Sequence, residues 1–356
     1  MSDDFPQSIY HFQLDAAVIF VQSFGEGHIN QTKLVVTASA REYILQKINQ
    51  TVFNDPPSVM KNIRLVTDHL RRQAPGRPRE VLTLVPAVDG KDWYKDAAGD
   101  YWRVYEFVSD SICLQQPSND LDFYNSGWAF GHFQKQLASF DAALLSETIP
   151  HFHNTPLRYS ALHQALQLDQ LNRAASVRPE LDFALSREEG AGVLQKLQAQ
   201  GRLPLKVTHN DTKLNNVLLD RWSRKALCVI DLDTVMPGLL VHDFGDSIRF
   251  GASTAAEDEQ DLSKVNLSLE RYQTYLQGFS TGCEDGMSME ERYYLRDGAK
   301  MMTLECGVRF LTDYLNGDVY FHTTRPGQNL DRCRTQFKLV SEMEAKWAIL
   351  EQLASC

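Results

Sequence analysis

Along the first hundred or so residues, apolar and β-branched positions come in short runs separated by turn signals, at 17–21, 33–37, 43–48, 81–85 and 101–108. Runs of this length bounded by Gly, Asn, Asp and Pro predict the strands of an antiparallel sheet. Between the third and fourth runs, Val59, Met60, Ile63, Val66 and Leu70 recur at helical spacing, which predicts one helix over 57–72 packed on that sheet. After Val108 the period changes. Segments 120–146, 186–200, 262–278, 289–315 and 330–353 are long and periodic enough for helices, and only two short apolar runs, 205–208 and 226–230, interrupt them. The pattern therefore predicts an α+β, bilobal chain, with a small antiparallel-sheet lobe over 1–108 and a mainly helical lobe over 109–356. The strand that ends near Glu106 would pass into a hinge. No internal repeat or low-complexity tract is visible.

Composition narrows the partners. The 356 residues, 43% of them hydrophobic, suffice for two lobes with a sizeable core. A formal charge of −10 leaves no electrostatic footprint for nucleic acid or an anionic membrane, so small-molecule or protein partners are expected. The six cysteines, at 113, 228, 283, 306, 333 and 356, form no CxxC pair and no zinc spacing, so reduced thiols and a cytoplasmic compartment are expected. The acidic start Met1-Ser2-Asp3-Asp4 has no signal-peptide pattern, and no apolar run approaches the roughly 18 residues of a membrane span.

Candidate chemistry concentrates in one stretch. His209-Asn210-Asp211-Thr212-Lys213-Leu214-Asn215-Asn216 lies between two strand-like runs, and Val229-Ile230-Asp231-Leu232-Asp233 follows. Asn and Asp recur in turns and caps, so the first segment alone admits an ordinary loop. Asp231, arriving at the end of an apolar run, argues for more. Phosphoryl transfer from ATP needs a carboxylate that orients the acceptor hydroxyl and takes its proton, together with hard oxygen ligands for magnesium. Asp211 fits the base, and Asn216, five residues on, and Asp231 fit the metal ligands; no enzyme nucleophile is needed.

Upstream, the loop Ser23-Phe24-Gly25-Glu26-Gly27-His28-Ile29-Asn30 falls between two strand candidates. Gly25 and Gly27 would let the backbone approach phosphate oxygens, and His28 and Asn30 would reach phosphate or substrate; a plain hairpin turn with a solvated tip is the competing reading. Glu106 and Val108, at the hinge, complete the expected nucleotide contacts.

On these residues the chain resembles the aminoglycoside phosphotransferase and choline kinase superfamily, whose loop reads H-x-D-x-x-x-x-N and whose metal-binding aspartate lies in an I-D segment. Within that superfamily it is most similar to N-acetylhexosamine 1-kinases, in Gly27-His28-Ile29-Asn30, Tyr43-Ile44-Leu45-Gln46-Lys47-Ile48-Asn49, Asp231-Leu232-Asp233-Thr234-Val235-Met236-Pro237-Gly238 and His242-Asp243-Phe244-Gly245-Asp246. The resemblance spans nearly the whole chain. It implies a protein-kinase-like fold and transfer from ATP, with Mg2+, to the anomeric hydroxyl of an N-acetylated hexosamine. It does not give the sugar epimer or the oligomeric state. Arg249, Arg309, Asp313 and Tyr314 are candidates for holding a hydroxyl-rich acceptor, although each equally suits a surface or structural ion pair.

Two departures stand out. Gln46 occupies the strand position where many relatives carry the lysine that contacts the α- and β-phosphates, and Lys47, one residue on, must face the opposite side. The letters Asp-Phe-Gly occur at 243–245, well beyond the metal segment, so Asp243 is expected to steady the catalytic loop rather than bind metal. A kinase for another small alcohol (an aminoglycoside, choline or homoserine) and a catalytically silent nucleotide-binding protein remain the alternatives. A strongly acidic acceptor pocket would favour a cationic substrate.

Overall fold

A computed structural model describes residues 6–25 and 29–355. Its amino-terminal part is a six-stranded antiparallel sheet. The strands are β1 (Val18–Ser23), β2 (Gln31–Thr37), β3 (Glu42–Lys47), β4 (Leu84–Val85), β5 (Tyr94–Lys95) and β6 (Tyr101–Glu106), in the order β1-β2-β3-β6-β4 with β5 also on β6. Helix α1 (Pro56–Gln73) begins at Asp55, whose carboxylate accepts from Ser58 N, and two prolines preset its first turn.

Alternation along β3 and β6 sorts the side chains onto two faces. Tyr43, Leu45, Trp102 and Val104 pack outward with Ile9 and Phe12. Ile48 and Tyr105 pack inward with Val59, Met60, Ile63, Val66 and Leu70 of α1, in the same cluster as Leu232 and Val235. Burying such side chains stabilises by about 1.5–3 kcal/mol each, so α1 and the sheet form one body that also rests on the segment after Ile230.

The remainder is helical around two small ladders. Strand β7 (Ser111–Cys113) pairs with β9 (Val217–Asp220), which pairs with β10 (Ala226–Val229), and β8 (Lys206–Thr208) pairs with β11 (Met236–Gly238). The helices are α2 (Asp120–Gln136), α3 (Thr155–Leu168), α4 (Arg178–Leu185), α5 (Val193–Ala199), α6 (Leu240–Gly251), α7 (Leu269–Cys283), α8 (Met289–Tyr293), α9 (Leu295–Asn316), α10 (Gln328–Ala345) and α11 (Trp347–Ser355). Helices α2 and α7 cross closely because glycines face each other: a Cβ on Gly131 would lie 2.1 Å from Phe279 O, and one on Gly282 2.3 Å from Trp128 O.

The α+β, two-part architecture matches the hydrophobic pattern, while several helix limits differ. The helix expected over 120–146 stops at Gln136, before a separate turn over 142–144 that Asp141 caps. The one expected over 186–200 begins at Val193, after Gly190 and Gly192. That over 262–278 begins at Leu269, where the Ser268 hydroxyl caps Arg271 N. The segments 289–315 and 330–353 each break in two, at Tyr294 and Lys346. Helices α3, α4 and α6 have no counterpart in the sequence-based expectation. Nearly every residue of α6 is buried, polar ones included, although Leu240, Val241, Phe244 and Ile248 recur at the one-sided spacing that marks a helix. Among the described residues no helix is long and apolar enough to cross a membrane.

Candidate active site

Strand β8 delivers His209 to the start of a loop that side chains of α6 fasten from below. Asp243, fully buried, accepts from His209 N at 2.9 Å, Asn210 N at 2.8 Å and Gln134 Nε2 at 2.7 Å. Burial drives its carboxyl upward in pKa, and those same donors oppose the shift. Asp246 accepts from Thr212 N at 3.0 Å and is itself held by Arg249. His209, also fully buried, bonds Ile230 O through Nε2 at 2.8 Å and receives Asp211 N on Nδ1 at 3.3 Å. It tethers the loop to the end of β10 and does not face the opening. Asn210 adopts a left-handed φ of 64° that lets the chain turn outward at Asp211.

Asp211 is thus presented partly exposed, its side chain 22% accessible. Lys213 Nζ lies 2.9 Å from Asp211 Oδ1, and Asn216 Nδ2 donates to Asp211 O at 2.8 Å and Oδ2 at 3.1 Å. Burial alone would raise the Asp211 pKa, but the ammonium of Lys213, with His209 and Arg249 behind it, holds it below the usual carboxylate range. Lys213 is raised in turn, first by the charge of Asp211. The Asn216 amide is oriented by its own N–H groups, so its Oδ1 points free of them.

Asp231 follows β10 with φ 59° and ψ 56°, a left-handed conformation that costs an aspartate about 1–2 kcal/mol. Burial, then the charges of Asp233 and Asp211, push its pKa up to about 6. A carboxylate so crowded by like charge is one that a cation would stabilise, and one carboxylate with one free amide oxygen suits magnesium, which takes its other ligands from water and phosphate. Among the described residues no cluster of three or more His, Cys, Asp or Glu could hold a metal alone.

The nucleotide side is less uniform. Gly27 and His28 lie outside the described residues. Gly25 has φ 75° with open space around it, and Phe24 packs edge-on against Phe107, with ring centroids 5.8 Å apart. Asn30 is buried and spent: its Nδ2 donates to Asp233 Oδ2 at 2.6 Å and its Oδ1 accepts Asn49 N at 3.0 Å. Its side chain therefore holds the metal segment in place of reaching phosphate. Glu106 N is used by Thr83 O, whereas the Val108 N–H has no hydrogen-bond partner among the described residues. Lys47 pairs with Asp100 at 2.5 Å on the outer face, as strand alternation requires.

On the acceptor side the four candidates separate. Arg249 is almost fully buried between Asp246 and Glu257 and acts as a strut under the loop. It borders a cleft together with Leu214, Ser247 and Glu257. Asp313 is likewise committed, accepting from Val319 N, Tyr320 N, Phe321 N and Asn329 Nδ2 at 2.8–3.0 Å, so it caps the turn after α9. Tyr314 packs under Arg173, 4.5 Å from the ring centroid. Arg309 differs: among the described residues it has no ion-pair partner, and it lies 5.3–5.7 Å from the centroids of Phe152, Tyr320 and Phe321. One turn earlier on α9, Glu305 is bonded by His153 and Thr155, and His153 Nε2 lies 3.2 Å from Asn210 O. That chain of contacts joins the Arg309 wall to the residue beside Asp211.

The positions that motif reading missed are Lys213, Asp246, Arg103 and His153. Lys213 and Asp246 stand inside quoted motifs. Arg103 and His153 come from distant segments and touch the site only through tertiary contacts.

Against known proteins, the family model described as the phosphotransferase enzyme family matches residues 21–276. Solved structures share the fold at low identity. An aminoglycoside phosphotransferase from Alicyclobacillus acidocaldarius has a TM-score of 0.61 at 14% identity, with 99% of this chain and 97% of that one covered. A microcompartment-associated aminopropanol kinase gives 0.59 at 16%, with 97% of each chain covered. A Plasmodium vivax ethanolamine kinase gives 0.56 at 14%, covering 89% and 82%.

Proposed function

The chain belongs to the phosphotransferase enzyme family, and from that premise we propose that it is an ATP- and Mg2+-dependent kinase that phosphorylates the anomeric hydroxyl of an N-acetylated hexosamine, with 1–108 as the nucleotide lobe and 109–356 as the lobe carrying the catalytic loop and acceptor site. The observation that carries the kinase reading is the joint placement of Asp211, Lys213 and Asn216 on one fastened loop. Asp211, ionised by virtue of Lys213, orients the acceptor hydroxyl and takes its proton as the bond to phosphorus forms. Lys213 keeps a positive charge beside the transferred group. Asn216 Oδ1 and the Asp231 carboxylate are the residues that would hold magnesium, which when bound neutralises phosphate charge. The Val108 N–H, with Glu106 beside it, is the hinge donor available to a nucleotide base.

The acceptor class rests on charge. Near Asp211 the carboxylates of Asp246, Glu257 and Glu305 are each taken up by arginine, histidine or hydroxyl partners. Glu305 is held down at about 2, because hydrogen bonding and charge from His153, with Arg309 and Arg158, outweigh its burial. Arg309 is left as a cation among aromatic rings. An ammonium-bearing acceptor, such as the amines in the names of the aminopropanol and ethanolamine kinases, would find no unspent carboxylate there and would meet Arg309 instead. A neutral sugar offers hydroxyl and amide oxygens to the guanidinium and a C–H face to the rings.

A panel assay tests both halves: wild type with MgATP and N-acetylglucosamine, N-acetylgalactosamine, glucosamine, choline, ethanolamine, homoserine and an aminoglycoside, with the phosphate position read by NMR. Phosphate on the anomeric oxygen of an N-acetylated sugar is expected. Turnover of only the cationic acceptors would discard the sugar and keep the kinase.

A further inference from the structure

Gln46 leaves the cleft face of β3 without the lysine that kinases pair with a glutamate of the adjacent helix, and α1 supplies no such glutamate either: its one acid, Asp68, pairs with Arg64 and Arg71 at the surface. Directly across the ladder from Gln46 is Arg103 of β6. Arg103 is 1% exposed. Its Nε donates to Gln46 Oε1 at 2.9 Å, and its two terminal nitrogens grip both oxygens of Asp233, the second at 3.0 Å. Asn30, at the foot of the glycine loop, donates to the same carboxylate at 2.6 Å. From α1, Asn62 donates to Val235 O at 3.0 Å. Three side chains from three amino-terminal elements therefore converge on residues 233–235, immediately after Asp231.

Resting on the reading of Asp231 as a metal ligand, we propose that Arg103 is a positioning residue that clamps Asp233 and so fixes the left-handed turn that aims Asp231 at the metal. A bidentate guanidinium–carboxylate pair fixes direction as well as distance, which a single ammonium contact does not. A buried pair of this kind adds little net stability over apolar residues of similar volume, and its established use is to specify one arrangement. The clamp also ties the sheet and the glycine loop to the metal segment through one carboxylate, so nucleotide lobe and metal ligand keep a fixed relation.

The test needs no acceptor. Binding of AMP-PNP is measured by calorimetry with and without Mg2+, and the ratio of the two dissociation constants reports how well the metal is held. Removing one partner would strand a buried charge and risk unfolding, so the main variant is the double change Arg103→Met with Asp233→Asn, which leaves the net charge near Asp231 unaltered. The ratio should fall about tenfold or more, with metal-free binding within about twofold of wild type. A wild-type ratio in a variant of wild-type fold would overturn the clamp, because a purely structural pair would change the melting temperature alone. If wild type itself shows no magnesium-enhanced binding, or Asp231→Asn keeps it, the metal-ligand reading fails instead.

Discussion

The catalytic loop and the acceptor wall are built on opposite plans. In the loop, backbone N–H groups of His209, Asn210 and Thr212 each have a carboxylate of α6 as partner, and His209 ties the loop to β10. In the wall, Arg309 touches rings and no acid, and Val319 and Tyr320 beside it are 78% and 60% exposed. A transferred phosphoryl group tolerates little misplacement, so its frame is fastened from several sides. On the proposed reading, acceptor choice is left to side chains that can be exchanged without disturbing that frame, as expected where one fold serves many substrates.

Perturbing the two plans should give effects of different kind and size. Asp211→Asn should lower turnover on the order of a hundredfold or more while AMP-PNP binding is retained; unchanged turnover would remove Asp211 from the base role. Asp243→Asn takes the charged acceptor from both backbone N–H groups and leaves one of them facing an amide NH2, and should destabilise by about 2 kcal/mol, lowering both the denaturation midpoint and turnover. Arg309→Ala should raise the acceptor KM about tenfold, roughly 1.4 kcal/mol, with the KM for MgATP unchanged. An equal rise in both would erase the contrast between frame and wall.

A further effect lies between the two regions, at His242. It is buried beside His153, ring centroids 5.0 Å apart, with no partner for Nδ1, and burial followed by the His153 charge lowers its pKa to about 3. The folded state therefore stays neutral where the unfolded chain binds a proton, below about 6.5. Stability is full above that pH and declines as pH falls toward 3, by at most about 1.4 kcal/mol per unit. The stability difference between wild type and His242→Gln should shrink from pH 7 to pH 5; a constant difference would show that His242 does not titrate this way. Least of all, Lys47→Ala should alter MgATP kinetics less than twofold, since Lys47 faces Asp100 on the far side of the sheet.

What the sequence made legible follows the same division. The strands of the first lobe and the Asp211, Asn216 and Asp231 spacing lie in short contiguous segments, where periodicity and motif order carry the information. The role expected of Asp243 emerged from its displacement along the chain, and its contacts with His209 and Asn210 agree. Asn30, Arg249 and Asp313 were reasonable polar candidates whose side chains tertiary contacts have already engaged. Arg103 was hidden because its partner Asp233 is 130 residues away, and a strand arginine has no local mark distinguishing a buried clamp from a surface charge. Helix α6 was legible in principle, since Leu240, Val241, Phe244 and Ile248 recur at helical spacing, but its His242, Asp243 and Asp246 drew attention as site letters instead.

The central claim is that Asn216 and Asp231 form a metal site facing Asp211. The most direct measurement is a crystal structure with AMP-PNP and Mn2+, the ion located by its anomalous signal. The account predicts an ion within about 2.0–2.3 Å of Asn216 Oδ1 and an Asp231 oxygen, bridging to the nucleotide phosphates beside Asp211. An ion bound elsewhere, with Asn216 still turned to Asp211 alone, would contradict it.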